Sequence, residues 1–431
     1  MPGYWLSNFG CRTNQADGAA VERQLRAAGF VPAAAPGAAD LVVLNTCTVT
    51  AHADADARAA IRRLRRENAA ARILVTGCYA QRAPEELRAL PGVDWVVGHE
   101  GKDGIAALAA GREAALIPAE ALGAAPAAHT EVASACGRTR PNVKAQDGCN
   151  NRCAFCVIPS VRGASRSRSL GLVLAEIQRH ADEGAAEVVL TGINLGQWGR
   201  DLDGKLRFPD LVAAILARTS LRRLRLSSVE PMDWSDDLVA LMAAEPRLAP
   251  HAHIPLQSGC DAVLRRMHRR YRPWHYAEKA RRIRERLPHA AIGADVMAAF
   301  PGESEAEFEE SRAFIAALPL TYLHVFTYSP RPGTEAARRA NEQAWRPVAS
   351  EAAARRSREL HALGAAKRAA FAQRFAGGLL EVVTLEPGPD ATPALSGNFL
   401  QVTLPGSLPG NQTLRVRVTD ATRVPLAAVP A

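Results

Sequence analysis

The chain has 431 residues, 48% of them hydrophobic and 23% charged, and its 53 Lys and Arg exceed its 44 Asp and Glu to give a net charge of +9. At about 100 to 200 residues per domain, this length predicts two to four domains, and the composition excludes a disordered or collagen-like chain. No apolar stretch reaches the roughly 18 residues that a membrane-spanning helix needs, and the N-terminus lacks the pattern of a secretory signal. We therefore expect a soluble, cytoplasmic protein with no membrane partner.

Residues 1–113 alternate short apolar runs with helical patterns. The strand-like runs begin at Tyr4, Leu41, Arg72 and Trp95. Apolar runs that alternate with helices are typical of βα units, so we expect an open parallel sheet. Residues 114–135 are rich in Ala and Pro, and this composition predicts a linker.

Residues 136–375 restart this alternation and end in a long helix. Six strand-like runs occupy residues 142–145, 187–191, 223–227, 253–257, 291–297 and 322–327. The helical segments between them predict an open or closed α/β barrel, and an Arg- and Ala-rich helix follows over 346–375. In residues 376–431, short apolar runs separated by Pro and Gly predict a small all-β domain. The fold class is therefore α/β with an all-β C-terminal part.

Three cysteines lie within eight residues, where the first strand of the second domain ends: Cys149, Cys153 and Cys156. Three thiolates at this spacing can converge on one metal centre and leave one iron of a four-iron cluster open for a further ligand. The spacing matches the radical S-adenosylmethionine signature. The alternative is structural zinc, which normally requires four protein ligands, and Cys136 is a possible fourth although it lies in the linker region. The barrel pattern that follows favours the cluster.

Cys11, Cys47 and Cys78 are far apart in the sequence, but each follows a predicted strand. In an open parallel sheet the carboxyl ends of the strands share one edge, so the three thiols can meet there and hold a second iron–sulfur cluster. The alternative is that each is a small buried residue, a common position for a free cysteine. Cys136 and Cys260 have no matching partners, and we expect both to be inert.

Polar residues and glycines at the strand ends of the predicted barrel are candidates for cofactor binding, because α/β barrels build their sites at that face. They are Gly192 and Asn194 after the second strand, Glu230 after the third, Gln257 and Ser258 after the fourth, and Asp295 in the fifth. The alternative for each is a turn residue or a helix cap.

One segment has the composition of a nucleic-acid contact. Residues 265–286 carry ten Lys and Arg against two Asp and Glu, with Tyr271, Trp274 and Tyr276 among them. Cations and aromatic rings in one segment suit a phosphate backbone and unstacked bases. The alternative is a charged face that is merely solvated.

Several motifs occur together and in order along nearly the whole chain. They are Gly10–Gln15, Asn45–Thr50, Cys149–Gly163, His253–Gly259, Phe300–Glu303 and His324–Thr334. Because of these motifs, the chain resembles the radical S-adenosylmethionine methylthiotransferase family, and most closely its MtaB branch.

The resemblance implies a three-part enzyme: an N-terminal methylthiotransferase domain, a central partial (β/α)6 radical barrel and a C-terminal TRAM domain, a small all-β barrel. It implies two [4Fe–4S] clusters, one on each set of three cysteines, with S-adenosyl-L-methionine as both radical source and methyl donor. Arg269 matches a family motif and would meet the cofactor carboxylate, unless it is a solvated helix charge. A reduced flavodoxin-like or ferredoxin-like protein is the implied electron donor.

The MtaB branch converts N6-threonylcarbamoyladenosine, beside the anticodon of tRNA, into its 2-methylthio derivative. The resemblance therefore implies this activity, with tRNA as the partner. Other branches modify isopentenyladenosine in tRNA or an aspartate of a ribosomal protein, and both remain alternatives. A third alternative is a non-catalytic, metal-dependent RNA-binding protein.

The motif Asn45–Thr50 bears on the choice of substrate. Thr48 and Thr50 lie beside the proposed auxiliary cluster, and their hydroxyls can bind the polar groups of a threonylcarbamoyl substituent. An isopentenyl group offers only hydrocarbon, and a polar pocket rejects it. The alternative is that Thr48 caps the following helix.

Overall fold

The computed structural model of the chain describes residues 1–111, 139–204 and 206–431. The linker predicted for 114–135 and Cys136 lie outside the described residues. The chain divides into two compact units. The first contains the described residues up to 111 together with Gly148–Asn150 and Cys156–Ala164, and the second contains residues 139–147, Asn151–Phe155 and the described residues of Ser165–Ala431.

The first unit is built on a five-stranded parallel sheet with the order β2-β1-β3-β4-β5. The strands are β1 Gly3–Asn8, β2 Val31–Pro32, β3 Leu41–Thr46, β4 Arg72–Gly77 and β5 Trp95–Val97. All six residues of the central strand β3 are buried. A continuously apolar strand is typical of a parallel sheet covered on both faces, and the predicted open parallel sheet is confirmed.

Helices cover both faces of this sheet. They are α1 Arg12–Ala27, α2 Ala51–Glu67, α3 Cys78–Arg82, α4 Pro84–Arg88 and α5 Ile105–Ala109. Alternate residues of β3 face opposite layers: Val42 joins the core that contains Ile61 of α2, and Val43 joins the core that contains Leu25 of α1. The loops at the carboxyl ends of β1, β3 and β4 remain at one edge between these layers.

The second unit begins with an open α/β barrel. Its strands are β6 Asn142–Asp147, β7 Arg166–Ser167, β8 Val188–Gly192, β9 Leu224–Leu226, β10 His251–His253, β11 Ala291–Ala298 and β12 Tyr322–Thr327. Parallel ladders join β6, β8 and β9 and, separately, β10, β11 and β12, and a parallel bridge between Ser228 and His253 connects the two groups. Within the described ranges no ladder joins β12 to β6, so the barrel is open, as the partial barrel predicted.

The fourth barrel strand lies earlier than the sequence predicted. The strand covers His251–His253 rather than 253–257, although Gln257 still makes one bridge to Val296. Pro255 has no N–H to donate, and Gln257 has a φ of 67°, so a regular ladder cannot continue through them.

Helices follow the barrel strands in turn. They are α6 Ile158–Arg162, which belongs to the first unit, and α7 Leu170–Asp182, α8 Phe208–Arg218, α9 Asp236–Ala244, α10 Asp261–Arg266, α11 Pro273–Arg286, α12 Glu305–Ala317, α13 Glu335–Asn341 and α14 Ser350–Gln373. The long helix expected over 346–375 is therefore α14. In the described part of the chain, no helix combines the length and the apolar character needed to cross a bilayer.

The C-terminal residues form a closed five-stranded barrel with the order β13-β14-β15-β17-β16. The strands are β13 Leu379–Thr384, β14 Ala391–Ser396, β15 Gln401–Pro405, β16 Thr413–Asp420 and β17 Leu426–Pro430. Val382, Leu404 and Val416 point into its core. The predicted small all-β barrel is confirmed.

A buried carboxylate and the arginines bound to it lie where the two barrels of the second unit meet. Glu187 accepts hydrogen bonds from Arg225 at 2.7 and 2.8 Å and from Arg140 at 2.9 Å. Burial alone would raise the pKa of Glu187, but Arg225 and Arg140 lower it to about 2. Arg225 also donates to the carbonyl oxygens of Ser396 and Gly397, so one guanidinium holds the C-terminal barrel against the α/β barrel.

We expect Glu187→Gln to lower the free energy of unfolding by about 3–5 kcal/mol at neutral pH, because buried arginines then lack their carboxylate. A carboxyl whose pKa falls from its ordinary 4.5 to about 2 on folding stabilises the protein above 4.5 and loses that contribution as the pH falls toward 2. Urea unfolding followed by circular dichroism at neutral and at acidic pH measures both effects, and the difference between variant and wild type should shrink in acid.

Glu351→Gln is the matched control, since Glu351 is exposed in the first turn of α14. This change should leave the unfolding midpoint in place. An unchanged midpoint in Glu187→Gln as well would mean that the buried pair contributes nothing to stability.

Candidate functional site

The structure brings Cys11, Cys47 and Cys78 together at the carboxyl edge of the first sheet. Gly10, beside Cys11, has a φ of +84°, and a Cβ there would lie 2.5 Å from the sulfur of Cys47. Gly77, beside Cys78, has a φ of +96°, and a Cβ there would lie 2.3 Å from the carbonyl oxygen of Thr46. Only glycine combines these φ values with such close approaches, so the two glycines allow the three loops to converge.

Burial makes two of these thiols, those of Cys47 and Cys78, hard to ionise on their own. Burial and the neighbouring Cys11 and Cys78 together raise the pKa of Cys47 to about 11, although backbone N–H groups oppose this shift. Burial also raises the pKa of Cys78. Cys47 and Cys78 are buried, whereas Cys11 is exposed. Three soft ligands with one open side fit a metal cluster that keeps one position for a further ligand.

Two buried cations lie beside Cys78. Arg162 donates to Asp17 at 2.9 Å and hydrogen bonds to Cys78, and Lys102 also donates to Asp17 at 2.9 Å. Both cations favour the thiolate of Cys78. Two cations beside the thiol of Cys78 suit an anionic centre. Sequence reasoning missed this group; its only signal was the position of Arg162 inside a family motif.

The second set of cysteines lies on the loop after β6. Gly148 has a φ of +69°, and a Cβ there would lie 1.9 Å from the carbonyl oxygen of Ala164. The N–H of Cys149 donates to the carbonyl oxygen of Gly163 at 3.1 Å, so the loop folds back on itself. Cys149, Cys153 and Cys156 are all partly exposed.

Arg269 is buried and hydrogen bonded to one of these cysteines. Its Nη1 donates to the sulfur of Cys153 at 3.2 Å, its Nε donates to the hydroxyl of Tyr271 at 3.1 Å, and its Nη2 pairs with Glu230. Burial alone would lower the pKa of Arg269. Tyr271, Glu230 and Cys153 outweigh burial and raise this pKa well above its ordinary value. The alternative of a solvated helix charge is wrong, since Arg269 is only 7% exposed.

The other cofactor candidates lie near the carboxyl ends of the barrel strands. A Cβ at Gly192 would lie 3.0 Å from Oε1 of Gln146, and that same oxygen accepts from the N–H of Asn194 at 2.7 Å. Ser258 donates to Ser311 at 3.3 Å. Among the described residues the buried Oε1 of Gln257 accepts no hydrogen bond, which fits a polar ligand at this face.

Asp295 lies in β11 between two histidines. Its Oδ1 is 3.0 Å from Nε2 of His253 and 3.4 Å from Nδ1 of His324. Burial alone would raise the pKa of Asp295, but His253 and His324 hold it below its ordinary range. The sequence singled out Asp295 but not the histidines, because their proximity depends on how β10 and β12 pair with β11.

The two threonines after β3 have different environments. Thr48 is buried, donates to Asp54 at 2.6 Å and accepts from Arg82 at 2.8 Å. Thr50 is the N-cap of α2, where its hydroxyl accepts from the N–H of Ala53 at 3.1 Å. The cap that the sequence offered as an alternative for Thr48 is therefore formed by Thr50.

The basic segment 265–286 is largely occupied by internal contacts. Tyr271 and Tyr276 are buried in the core, so of the three aromatic residues that the sequence placed in an RNA contact, only Trp274 is exposed. Several of its arginines form ion pairs: Arg265 and Arg272 with Asp261, Arg266 with Glu307, and Arg282 with Asp236. The prediction that Tyr271 and Tyr276 stack on RNA bases is therefore wrong.

The open barrel and its cysteine loop together define a radical S-adenosylmethionine enzyme. Residues 143–315 match the model of the Radical SAM superfamily, and residues 4–98 match Uncharacterized protein family UPF0004. In fold, the chain is similar to the radical S-adenosylmethionine methyltransferase TsrM from Kitasatospora setae, with a TM-score of 0.60 and 17% identity over 80% of this chain and 78% of that one.

Curated relatives show to which family within this enzyme class the chain belongs. A Bacillus subtilis (strain 168) protein named threonylcarbamoyladenosine tRNA methylthiotransferase MtaB is 37% identical over 335 residues, which are 77% of this chain and 74% of that protein. A Syntrophobacter fumaroxidans protein named tRNA-2-methylthio-N(6)-dimethylallyladenosine synthase is 37% identical over 342 residues, which are 77% and 75%. The chain belongs to the radical S-adenosylmethionine tRNA methylthiotransferase family, as its motifs predicted.

Arg269 provides a test of the barrel site. We expect Arg269→Gln to make the cluster of the Cys149–Cys156 loop harder to reduce, because the variant loses a donor to the Cys153 sulfur and leaves Glu230 unpaired. A tenfold smaller reduced fraction at fixed potential corresponds to about 59 mV for a one-electron couple. A redox titration followed by electron paramagnetic resonance, in a background with Cys11, Cys47 and Cys78 replaced by Ala, measures this shift.

Arg270→Gln, at the exposed neighbouring position, is the control for loss of a positive charge. Equal midpoint potentials in Arg269→Gln, Arg270→Gln and the parent would show that the hydrogen bond to Cys153 has no electronic effect.

Proposed function

We propose that this family member inserts a methylthio group at C2 of N6-threonylcarbamoyladenosine beside the anticodon of tRNA. The observation that carries the proposal is the presence of two separate sets of three cysteines, one at the sheet edge of the first unit and one on the loop after β6. One set serves the radical chemistry of the superfamily. The other provides a second metal centre, which a transfer of sulfur requires and a simple methyl transfer does not.

On this proposal Cys149, Cys153 and Cys156 hold a [4Fe–4S] cluster with one open iron for S-adenosyl-L-methionine. When bound, this pair supplies the hydrogen-abstracting radical that no side chain can supply. Arg269 and Glu230 fix the environment of the Cys153 sulfur. Of the other candidates at the strand ends, Gly192, Asn194, Gln257 and Ser258 line the polar face that receives the cofactor.

Cys11, Cys47 and Cys78 hold the second [4Fe–4S] cluster in this proposal. Arg162 and Lys102 neutralise its negative charge from the side of Cys78. Cys11 is exposed, so the cluster is open to solvent and substrate on its side. A reduced flavodoxin-like or ferredoxin-like protein delivers the electrons.

The choice of threonylcarbamoyladenosine depends on the polar character of the loop after β3. Thr48, Asp54 and Arg82 form a hydrogen-bonded group beside Cys47, and Thr50 is only partly buried at the start of α2. A substituent with a carboxylate, a urea and a hydroxyl suits such a polar loop better than a hydrocarbon does. Isopentenyladenosine is the second candidate, because curated relatives of both names are equally similar to this chain.

The two sets of cysteines predict separable defects. Replacing Cys149, Cys153 or Cys156 by Ala should abolish reductive cleavage of S-adenosylmethionine. Replacing Cys11, Cys47 and Cys78 together should leave 5′-deoxyadenosine formation detectable while ending formation of the methylthio product, since the second cluster only supplies sulfur. Anaerobic assays of both products, together with iron and sulfide analysis, provide the measurement.

The wild type should contain about eight irons per chain and the triple variant about four. Cys260→Ala is the control, because this cysteine is buried at the start of α10, is not part of either set, and should leave both products unchanged. A triple variant that still makes the methylthio product at the normal rate would contradict the second cluster. Stoichiometric zinc in place of iron would favour the non-catalytic alternative.

Substrate choice is tested by competition. Reconstituted enzyme is given equal amounts of two tRNAs, one carrying threonylcarbamoyladenosine and one carrying isopentenyladenosine, and the digested nucleosides are analysed by mass spectrometry. We expect the 2-methylthio derivative of the first and little or none of the second. Methylthio-isopentenyladenosine as the main product would overturn the substrate assignment, and so would a modified ribosomal protein with untouched tRNA.

A further inference from the structure

Three potential metal ligands lie on adjacent strands of the α/β barrel and belong to neither set of cysteines. Asp295 of β11 pairs in register with His324 of β12. His253 of β10 pairs with Gly293, which lies two residues before Asp295 on the same face of β11. Because side chains alternate along a strand, this register places the two imidazoles and the carboxylate on one face.

The spacing of the three groups matches a metal site. The Oδ1 of Asp295 is 3.0 Å from Nε2 of His253 and 3.4 Å from Nδ1 of His324, and one ligand atom from each residue lies within 4.8 Å of the others. Ligands about 2.0–2.2 Å from one ion lie about 3.0–3.5 Å from their neighbours. The side chain of His324 is 53% exposed, and a small movement of it is enough to bring all three ligand atoms within bonding distance of one ion.

The surrounding residues support His253 as a metal ligand. Its Nδ1 is 2.9 Å from the hydroxyl of Tyr322, and that hydroxyl is 2.7 Å from Nε2 of His251. A histidine that binds a metal through one nitrogen usually hydrogen bonds through the other, which fixes its tautomer. Gly293 makes room for this arrangement, since a Cβ there would lie 1.9 Å from the ring of Tyr322.

The three side chains differ in their exposure to solvent. The side chain of His253 is 6% exposed, that of Asp295 is 26% exposed and that of His324 is half exposed. An ion can therefore enter past His324 while His253 anchors it inside the barrel. Three protein ligands leave at least one position for water or an anionic ligand.

We propose that His253, Asp295 and His324 bind one divalent first-row transition metal ion, such as zinc or ferrous iron, separate from the iron–sulfur clusters. Two imidazoles and one carboxylate suit these ions better than magnesium or calcium, which favour oxygen ligands alone. The proposal does not depend on the proposed substrate. Its alternative is that the three groups form a hydrogen-bonded network that binds no metal.

Manganese is the probe for the test, because the signal of free Mn²⁺ in electron paramagnetic resonance can be titrated in the presence of oxidised [4Fe–4S] clusters, which are silent. The full-length protein with both clusters assembled is titrated anaerobically with Mn²⁺, and zinc is then added as a competitor. We expect one saturable site per chain that zinc occupies more tightly. Asp295→Asn and His324→Ala should each weaken binding at least tenfold.

Tyr322→Phe tests the supporting hydrogen bond and should weaken binding by about 10- to 100-fold without removing a ligand. His361→Ala, at an exposed position of α14, is the control and should bind as the wild type does. Circular dichroism and cluster absorbance verify the fold of each variant. The absence of a saturable site in the wild type, or equal binding by wild type, Asp295→Asn and His324→Ala, would overturn the proposal whatever the methylthiolation assay shows.

Discussion

Parallel strands end at a common edge, and both units of this chain use such an edge to collect residues that are far apart in the sequence. In the first unit the edge brings together Cys11, Cys47 and Cys78, and Cys11 raises the pKa of each of the other two thiols. In the second unit the corresponding edge carries the polar residues after the later strands, and Cys153 belongs to the same unit. Without parallel pairing Cys11, Cys47 and Cys78 would not converge, whereas Cys149, Cys153 and Cys156 lie within eight residues of one loop.

Buried arginines compensate charge in both units. Arg162 hydrogen bonds to Cys78 and shares Asp17 with Lys102. Arg269 donates to Cys153 and is neutralised by Glu230. Each guanidinium is held by a carboxylate, so it remains in place beside its cysteine before any metal binds. Burying a guanidinium costs free energy, and the carboxylate beside each arginine offsets part of that cost.

The C-terminal barrel is attached to the α/β barrel through contacts that no local sequence pattern predicts. Arg225 is fully buried between Glu187 and the carbonyl oxygens of two residues of the C-terminal barrel. A second contact stacks Phe399 on His251, whose ring also hydrogen bonds to Tyr322 inside the α/β barrel. The C-terminal barrel is therefore connected to the interior of the α/β barrel by buried side chains.

The sequence by itself determined the order of the elements, the fold class and the family, because strand and helix periodicity is local and the cysteine motifs have fixed spacing. Its local reasoning was wrong at β10, where Pro255 and the left-handed backbone of Gln257 end the ladder, and in the basic segment, where Tyr271 and Tyr276 pack into the core. Only the tertiary structure decided that Arg269 reaches a cysteine sulfur, that Thr50 is the cap, and that two histidines flank Asp295. The contact of Arg269 and the positions of the histidines depend on register and side-chain direction between segments that are distant in the chain, which no local pattern encodes. The cap depends on the residue at which α2 begins.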